Sequence, residues 1–349
     1  MTTLAELPPS TMQSNADRVL VSILNWNGTA DTLRCLQGID RSQCPDLQFA
    51  VLDNGSAQDP SAQFQAQCPD VLNFRVPRNL GFAGGHNWMI KWAMQQGYGA
   101  VLILNNDCEI DVNAILALKQ QLDSDPQIAV ASCVIYRSGA VRRPMMVSGW
   151  IDWARQLSVR PNSPDAKPPA GEPMLLVGTA LLLRCAALQT IGLLDERYFA
   201  YYEDNDLSAR VAAAGLKSVY CKDSICLHHY RPLHEYSAMA LYLMSRNQWL
   251  FWREHTPEAC KPGMTRRLTA RSLHDLALLK KNQVSRDKTQ AVVAGWWDAM
   301  HGRYGAPPTK LVGPAWLHGL AMLSPYLASR LLLAPLATLR RKLGAQPRT

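Results

Sequence analysis

The residues best suited to chemistry in this chain are carboxylates that follow apolar runs or open helical segments. Asp107 comes directly after Asn105 and Asn106, which end the apolar run 100–104. A carboxylate at the end of a buried strand can bind Mg²⁺ or Mn²⁺ together with a substrate diphosphate, because hard cations take one or two carboxylates plus phosphate oxygens. The alternative is that Asp107 caps the helix predicted over residues 112–122.

A second acidic group begins a predicted helix over residues 203–214, directly behind the aromatic run 198–202. The helix dipole favours acidic residues at this end, which would be a sufficient reason for Glu203 and Asp204 to be there. Paired carboxylates under aromatic cover also suit a general base, which needs a fixed position in a partly dry pocket. His228 follows a β-like run, and a neutral imidazole there would complete a metal site or lie at the surface beside His229.

Asp53 ends a second apolar run and comes before Asn54-Gly-Ser56. A carboxylate there can accept a hydrogen bond from a base N–H such as N3 of uracil or thymine, although Asp-Asn-Gly also favours a simple turn. The segment 79–87 places three glycines before a helix, where the backbone can approach a phosphate or a ribose. Its spacing is not GxGxxG and it follows the third strand, so a nicotinamide-dependent enzyme is disfavoured.

Alternating strands and helices must position these side chains. Strands are predicted over residues 18–24, 49–52, 72–76 and 100–104, with helices over 31–39 and 83–96 between them. This alternation predicts βαβ units and a mostly parallel sheet flanked by helices. Ligands bind beyond the carboxyl ends of strands in such sheets, and the polar clusters at 25–27, 53–54 and 105–107 each fall at a strand end. Residues 137–173 read as a long loop, and helices return after residue 236.

Charge and cysteine content restrict the class of protein. Residues 231–349 hold 18 Lys and Arg against 6 Asp and Glu, so the positive charge lies entirely in the C-terminal third. Such a surplus attracts nucleotide diphosphates, nucleic acid or anionic lipid, or else is a solvated helical face. Nine cysteines without CxxC pairs or a recognisable secretory signal fit reduced thiols. We therefore expect a cytoplasmic protein without a zinc site.

The apolar stretch 312–339 is interrupted by His318, Pro325, Arg330 and Pro335, and ends in a basic triplet at 340–342. These interruptions argue against a membrane-spanning helix. Two alternatives remain: an interfacial element on the inner face of the cytoplasmic membrane, with 312–342 meeting an anionic surface, or a helical pair packed on the protein's own core. The stretch 315–339 before the basic triplet is largely aliphatic, whereas a nucleic-acid-binding segment would have aromatic residues among its basic ones. A nucleic-acid partner is therefore not expected.

Taken in series, these motifs closely resemble the family 2 inverting glycosyltransferases with the GT-A fold, in the bacterial rhamnosyltransferase-like branch. The matching stretches run in the family's order over about residues 18–255, namely 21–27, 51–56, 79–87, 104–107 and 203–210 with Gly215. Arg246-Asn247 resembles a helical Arg-Asn element of this branch. The expected domains are an N-terminal extension over 1–17, a GT-A domain over 18–255 and a basic helical region over 256–349.

The resemblance implies a role for each motif. Asp204, beside Glu203, would be the catalytic base, and Asp107 with His228 would bind Mg²⁺ or Mn²⁺. The residues implied on the side of the nucleotide-sugar donor are Asn25, Asn27, Asp53, Asn54, Asn79, Gly81, Gly84, Gly85, Asn87, Asn105 and Asn106. The residues implied on the acceptor side are Gly178, Thr179 and Asp206.

The implied reaction transfers a sugar from a nucleotide diphosphate, with dTDP-rhamnose or a UDP-sugar as the candidate donor. The acceptor would be a glycan or a lipid-linked oligosaccharide in cell-surface polysaccharide assembly, such as O-antigen. One departure from the family's Asp-x-Asp metal motif is Asn105 at its first position, which predicts weak metal binding without the sugar nucleotide. The Pro-rich segment 155–175 has no counterpart in the family pattern, and its expected role is to cover the acceptor.

Two other functions compete with this interpretation. A nucleotidyltransferase would need a Gly-rich basic loop after the first strand, where this chain has Asn25-Trp-Asn-Gly28 and no Lys or Arg before Arg34. A non-catalytic nucleotide-sugar-binding or membrane scaffold with the same fold would be expected to have lost the base or the metal carboxylate. Both carboxylates are present, so the sequence favours the enzyme.

Overall fold

The computed structural model describes residues 16–42, 44–139, 143–146, 149–161, 166–228 and 232–333. By its contacts the chain divides into two compact units. The sheet unit comprises Met1–Ile151 and Ser158–Tyr230, and the helical unit comprises Asp152–Leu157 and Arg231–Thr349. The domain boundary expected from the sequence lies at residue 255, whereas these contacts group the helix over 238–255 with the C-terminal helices.

Eleven strands occur in the described residues, in chain order. They are β1 (Val19–Asn25), β2 (Leu47–Asn54), β3 (Leu72–Val76), β4 (Ala100–Leu104), β5 (Cys108–Ile110), β6 (Ile128–Arg137), β7 (Arg143–Met146), β8 (Trp150–Asp152), β9 (Leu157–Val159), β10 (Ala180–Arg184) and β11 (Lys217–His228). The main sheet has the order β3-β2-β1-β4-β10-β6-β11-β5, with β7 paired to β6. β8 and β9 form a separate two-stranded sheet.

The first four strands of the chain form the parallel half of this sheet. β1 pairs in parallel with both β2 and β4, and β2 pairs in parallel with β3. The strands β1 and β4 are almost entirely buried, which explains their continuous apolar sequence. In this register Asn25 lies beside Asp53, so the polar residues that end β1 and β2 meet at one edge of the sheet.

The other half of the sheet is mixed. β10 runs antiparallel to both β4 and β6, β6 pairs in parallel with β11, and β11 pairs antiparallel with β5. The expected parallel pairing therefore holds for β3-β2-β1-β4 and for β6 with β11, while β10 enters between β4 and β6 in the opposite direction. A long connection that includes β7, β8 and β9 precedes β10.

Six helices of the sheet unit occur in the described residues, and the predicted helices are among them. They are α1 (Thr29–Gln37), α2 (Ser61–Gln67), α3 (Gly81–Gln95), α4 (Val112–Asp123), α5 (Cys185–Ile191) and α6 (Glu203–Ala213). The cap of α4 is Asp111, whose Oδ1 accepts a hydrogen bond from the N–H of Asn113 at 2.7 Å. The capping alternative for Asp107 is therefore wrong. Gly215, with φ +69°, ends α6 as predicted.

The described part of the helical unit holds five α-helices. They are α7 (Ala238–His255), α8 (Met264–Lys281), α9 (Arg286–Met300), α10 (Ala315–Leu323) and α11 (Pro325–Leu333). A Cβ at Gly295 would come within 3.0 Å of the carbonyl oxygen of Tyr242, so glycine allows α7 and α9 to pack closely. Leu276 and Val293 belong to a core that also includes Ala321 of α10.

The apolar stretch near the C-terminus folds as two helices that break before Pro325, as its prolines suggest. Ala321 is buried in the core of the helical unit, whereas Trp316, Leu320 and Leu323 are between 61% and 75% exposed. This pair thus packs on the unit's core with one face and presents apolar side chains on another. Among the described residues, no helix is long and apolar enough to cross a membrane. Residues 334–342 of the expected membrane element lie outside the described residues.

Candidate active site

Asp107 and His228 lie together where β5 pairs with β11. The antiparallel register places Cys108 opposite His228, which brings the neighbouring Asp107 against the imidazole. Asp107 Oδ1 is 3.2 Å from His228 Nε2, and both side chains are partly exposed. His228 Nδ1 has no hydrogen-bond partner within the described chain. A carboxylate and an imidazole that converge in this way are side chains that could hold a divalent metal ion. His229, the competing histidine, lies outside the described residues.

Cys108 belongs to the same group, because ligand atoms of Asp107, Cys108 and His228 all lie within 4.8 Å of one another. Its thiol is buried and points to the carbonyl oxygen of Thr179, with Sγ at 3.9 Å. Burial raises the pKa of the Cys108 thiol well above its ordinary value. A thiol must lose its proton to bind a metal, so this chemistry leaves Asp107 and His228 as the ligands.

The paired carboxylates at the start of α6 have different surroundings. Asp204 is half-buried and accepts hydrogen bonds from the N–H groups of Gly178 at 3.0 Å and Asn205 at 2.8 Å. Burial raises the pKa of the Asp204 carboxyl, and both the Gly178 N–H and the positive charge of Arg160 oppose that rise. These donors stabilise the ionised form of a side chain that remains reachable from solvent, as a general base requires.

Glu203 is buried, and its Oε2 has no hydrogen-bond partner in the part of the chain that the structure describes. Burial, together with the nearby charge of Asp204, raises the pKa of Glu203 well above its ordinary value. The pKa values of both carboxyls are raised by burial, and more hydrogen-bond donors and the charge of Arg160 oppose the rise at Asp204 than at Glu203. These surroundings favour the ionised form at Asp204 and the neutral form at Glu203.

The aromatic run before α6 has an unusual backbone. Phe199, Tyr201 and Tyr202 have φ values of +64°, +69° and +77°, in the left-handed region that side chains other than glycine rarely adopt. The carbonyl oxygen of Phe199 accepts a hydrogen bond from the N–H of Ala83 at 3.1 Å. A Cβ on Gly81 would come within 3.0 Å of that same oxygen, so glycine is required for this contact. The glycine-rich segment thus holds the loop that precedes the base.

A two-residue segment connects the base with the metal motif. The N–H of Gly178 donates to Asp204, while the carbonyl oxygen of Thr179 accepts from the N–H of Asn105 at 2.9 Å and contacts the Cys108 thiol. Gly178 itself packs near Phe82 and Glu203. Of the residues predicted on the acceptor side, Gly178 and Thr179 therefore connect the predicted base with the predicted metal motif within the sheet unit.

Asp53 is fully buried and hydrogen-bonded to protein groups. Its Oδ1 accepts from Asn25 Nδ2 at 2.8 Å and from the Ser56 hydroxyl, and Arg75 Nε is 3.4 Å from its Oδ2. Asn27, with φ +54°, joins this group because its N–H donates to Ser56 Oγ at 2.8 Å. These contacts show Asp53 as the anchor of the loops after β1 and β2. Its recognition of a nucleobase stays a prediction.

The glycine-rich segment is tied to the loop after β2. Asn54 Nδ2 donates to Asn79 Oδ1 at 3.2 Å and to the carbonyl oxygen of Gly81 at 2.9 Å. A Cβ on Gly85 would press against Leu24 and Asn54. These side chains and glycines shape the backbone around the site, and contact of Asn54, Asn79, Gly81 or Gly85 with a donor is not tested.

Three further predicted residues make protein contacts deeper in the sheet unit. Asn87 lies one helical turn beyond Gly84 and is buried. Its Nδ2 donates to the carbonyl oxygen of Leu194 at 2.8 Å. Asn106 donates to the Thr32 hydroxyl at 3.0 Å. Asp206 forms a buried ion pair with Arg210 at 2.6 Å, so its carboxylate is engaged within α6.

Sequence reasoning missed two arginines that act on the predicted carboxylates. Arg75 lies on β3 beside Asp53, and Arg160 follows β9 in the segment that had no counterpart in the family pattern. Neither belongs to a recognisable motif, because each approaches its carboxylate only through the tertiary fold. The one available signal was the placement of Arg160 within a long polar loop, where functional residues concentrate.

The partly parallel sheet flanked by helices is of the GT-A class of fold. The Asp107–His228 pair and the hydrogen-bonded carboxylate of Asp204 belong to the same unit. A crystal structure of GalNAc-T7 with UDP, GalNAc and Mn²⁺ has this fold, with a TM-score of 0.52 at 17% identity over 72% of this chain and 51% of that one. Residues 21–192 match the family described as Glycosyl transferase family 2. Over residues 21–192 the chain therefore matches a family 2 glycosyltransferase domain, and its similar proteins include a rhamnosyltransferase.

Two curated proteins are similar to this chain. An N-acetylglucosaminyl-diphospho-decaprenol L-rhamnosyltransferase of Mycobacterium tuberculosis is 26% identical over 212 residues, which cover 52% of this chain and 66% of that protein. A low-salt glycan biosynthesis hexosyltransferase of Haloferax volcanii is 23% identical over 245 residues, which cover 68% of this chain and 76% of that protein. The match thus spans about two thirds of the first relative's length.

Proposed function

We propose that this protein is an inverting glycosyltransferase that moves a sugar from a nucleoside diphosphate donor to a hydroxyl group of a glycan or lipid-linked acceptor. The observation that carries this proposal is the segment Gly178–Thr179, which contacts the ionised Asp204 on one side and the Asn105 backbone of the metal motif on the other. A base and a metal-binding pair within one site are what sugar transfer to a hydroxyl requires.

Asp204 is the proposed base. Its carboxylate takes the proton of the acceptor hydroxyl while that oxygen bonds to the anomeric carbon of the donor sugar. The bond from the anomeric carbon to the diphosphate breaks on the opposite face, and the nucleoside diphosphate leaves with the electron pair. Attack from the face opposite the leaving group inverts the anomeric configuration. Burial raises the pKa of Glu203 well above its ordinary value, which favours its neutral form and limits the negative charge beside Asp204.

Asp107 and His228 are the proposed ligands of Mg²⁺ or Mn²⁺. Their convergence at 3.2 Å and the unpartnered Nδ1 of His228 fit a site for a hard or borderline cation. When bound, such an ion neutralises the negative charge that grows on the leaving diphosphate. The single carboxylate of this pair supports the prediction that the metal binds tightly only together with the nucleotide.

The donor nucleotide would lie at the edge where β1, β2 and β4 end. Asn25, Asn27 and Asp53 shape the loops there, and Trp26 is 54% exposed beside them. Similarity to a rhamnosyltransferase makes dTDP-rhamnose one candidate donor, and a UDP-sugar is the other. Thymine and uracil each carry an N3–H group, from which a carboxylate such as Asp53 would accept a hydrogen bond.

Attachment to an anionic membrane surface is proposed for the region 312–342. The exposed apolar residues of α10 and the basic composition of the C-terminal third support this proposal. Replacing Trp316 and Leu320 by Ser should release the protein from anionic liposomes in a flotation assay. Binding that is unchanged in this variant would contradict the proposal without affecting the assignment of the sugar-transfer site.

Calorimetric titration tests the proposed function directly. UDP, dTDP and GDP would be titrated with and without Mn²⁺ into the wild type, Asp107→Ala and the neighbouring charge-matched control Glu109→Ala. We expect metal-dependent binding of one nucleotide that is lost in Asp107→Ala and kept in Glu109→Ala. A folded wild-type protein that binds none of the three would favour a non-catalytic scaffold instead.

A further inference from the structure

The helical unit contains a cavity of about 350 Å³ that the proposed sugar transfer does not use. It lies between α7, α9 and the segment that follows α9. The residues that line it combine basic and aromatic side chains: they are Tyr242, Arg246, Asp298, Arg303, Tyr304, Ala306, Pro308, Lys310 and Val312.

The charge of this cavity is unbalanced. Arg246, Arg303 and Lys310 carry three positive charges, against the single carboxylate of Asp298. Asp298 already accepts a hydrogen bond from the Tyr242 hydroxyl at 2.7 Å and lies 3.3 Å from Arg303. A structural ion-pair network would balance its charges, whereas this lining has a surplus of about two. A surplus of this kind in a concave site attracts an anion with more than one negative charge.

Arg246 is held in place at the base of the cavity. It is only 1% exposed, and its Nη1 donates to the carbonyl oxygen of Gly305 at 2.8 Å while its Nε donates to Asn247 Oδ1 at 2.9 Å. Its guanidinium also lies near the rings of Tyr242 and Tyr304. A guanidinium fixed in this way is preorganised for the oxygens of a phosphate group.

The other two cations lie at the opening, where Arg303 pairs with Asp298 and stays largely exposed. The Arg303 side chain is 64% exposed and Lys310 is also exposed. Val312, which lines the cavity and is 70% exposed, begins the series of exposed apolar residues that continues through Trp316 and Leu320. A site for a multiply charged anion therefore borders an apolar surface within the same unit. This combination is complementary to an amphiphilic phosphate, which has a charged head and an apolar chain.

We propose that this cavity binds the terminal phosphate or diphosphate group of a phosphorylated lipid, with the lipid chain along the exposed apolar residues of α10. Arg246 provides the fixed guanidinium, and Arg303 and Lys310 close on the phosphate oxygens. The further step, that this lipid is the sugar acceptor, rests on the proposed function; phosphate binding by the cavity does not.

Vesicle binding by the full chain tests this proposal. Sedimentation would compare vesicles containing phosphatidic acid, whose phosphate is terminal, with phosphatidylglycerol vesicles of matched surface charge, all in EDTA without nucleotide. The variant is Arg303→Gln with Lys310→Gln, which leaves the buried Arg246 intact. The control is Lys261→Gln with Lys281→Gln, which removes the same charge from the same unit outside the cavity.

We expect the wild type and the control to prefer phosphatidic acid, and the cavity variant to lose about tenfold or more of that affinity. Equal losses in variant and control, or equal losses for both lipids, would overturn the proposal in favour of general surface electrostatics. Binding of soluble pyrophosphate that depends on the cavity, without any preference between vesicles, would also overturn it and assign the cavity to a free phosphate compound. Nucleotide titration of the same variants reports separately on the sheet unit, so failure here is distinguishable from failure of the proposed function.

Discussion

Replacing Asp204 by Asn separates the role of the base from the role of the fold. Asp204 Oδ2 accepts from the N–H of Gly178 at 3.0 Å and Oδ1 accepts from the N–H of Asn205 at 2.8 Å. The single amide oxygen of Asn can replace only one of these acceptors, and the side chain can no longer take a proton. General-base catalysis contributes about 10²–10⁴-fold, so we expect turnover to fall by roughly that factor, or ~3–5 kcal/mol of activation free energy. Binding of the nucleotide should stay within about threefold of wild type.

The same variant should also change how stability depends on pH. The pKa of Asp204 is raised in the folded protein, so the folded state disfavours the ionised carboxylate. Stability from such a group is present below its unfolded pKa and is lost as the pH rises through the folded pKa. Asn does not titrate but leaves one N–H without an acceptor, so the free energy of unfolding of the variant relative to wild type, measured by urea denaturation, should be lowest in acid and should increase toward pH 7.

Two companion variants sharpen this test. Because its raised pKa favours the neutral form of Glu203, the variant Glu203→Gln should lower turnover less than Asp204→Asn does. Arg160→Gln removes a charge that lowers the pKa of Asp204, so the acid limb of the kcat/KM profile should move to higher pH. Turnover within tenfold of wild type in Asp204→Asn, with a folded protein and bound nucleotide, would refute the assignment of the base.

Two further changes probe the supports of the site. Gly81→Ala should lower the free energy of unfolding by roughly 2–5 kcal/mol, since a left-handed backbone costs ~1–2 kcal/mol and overpacking against Phe199 a further ~1–3 kcal/mol. Gly215 has a similar φ but open space around it, so Gly215→Ala should show only the cost of the left-handed backbone. Equal losses of unfolding free energy for the two variants in urea denaturation would contradict the role of Phe199. His228→Ala should raise the Mn²⁺ concentration for half-maximal nucleotide binding about tenfold or more, with exposed His301→Ala as control. An unchanged concentration would remove His228 from the metal site.

Local sequence patterns predicted the parallel half of the sheet well. The bounds of β3 and β4 coincide with the predicted runs 72–76 and 100–104, because apolar residues between polar turns determine a buried strand locally. The edge at which Asn25 and Asp53 meet, with Asn106 linked to Asn25 through Thr32, could also be predicted, since side chains at the ends of parallel strands share one edge. Local chemistry was enough for these features.

Features that depend on distant residues were not predictable in the same way. β10 inserts antiparallel between β4 and β6, which no periodicity in residues 180–184 indicates. Arg160 is near Asp204 only because of the tertiary fold. For β10 and Arg160 the deciding contact joins elements whose relative position the sequence does not reveal. The cap of α4 is a local case: the sequence suggested Asp107, and the hydrogen bond from the N–H of Asn113 assigns the cap to Asp111.

The left-handed backbone of residues 199–202 has a consequence for the order in which the protein loses its properties. Phe199, Tyr201 and Tyr202 are each disfavoured by ~1–2 kcal/mol when isolated, so the contacts of Gly81 and Ala83 with Phe199 help this loop to hold its shape. Those partners lie more than a hundred residues earlier in the chain. Mild heating or low denaturant should release the loop first and displace Asp204, so inactivation would precede the loss of secondary structure. Enzymatic activity would then be a more sensitive gauge of intactness than circular dichroism.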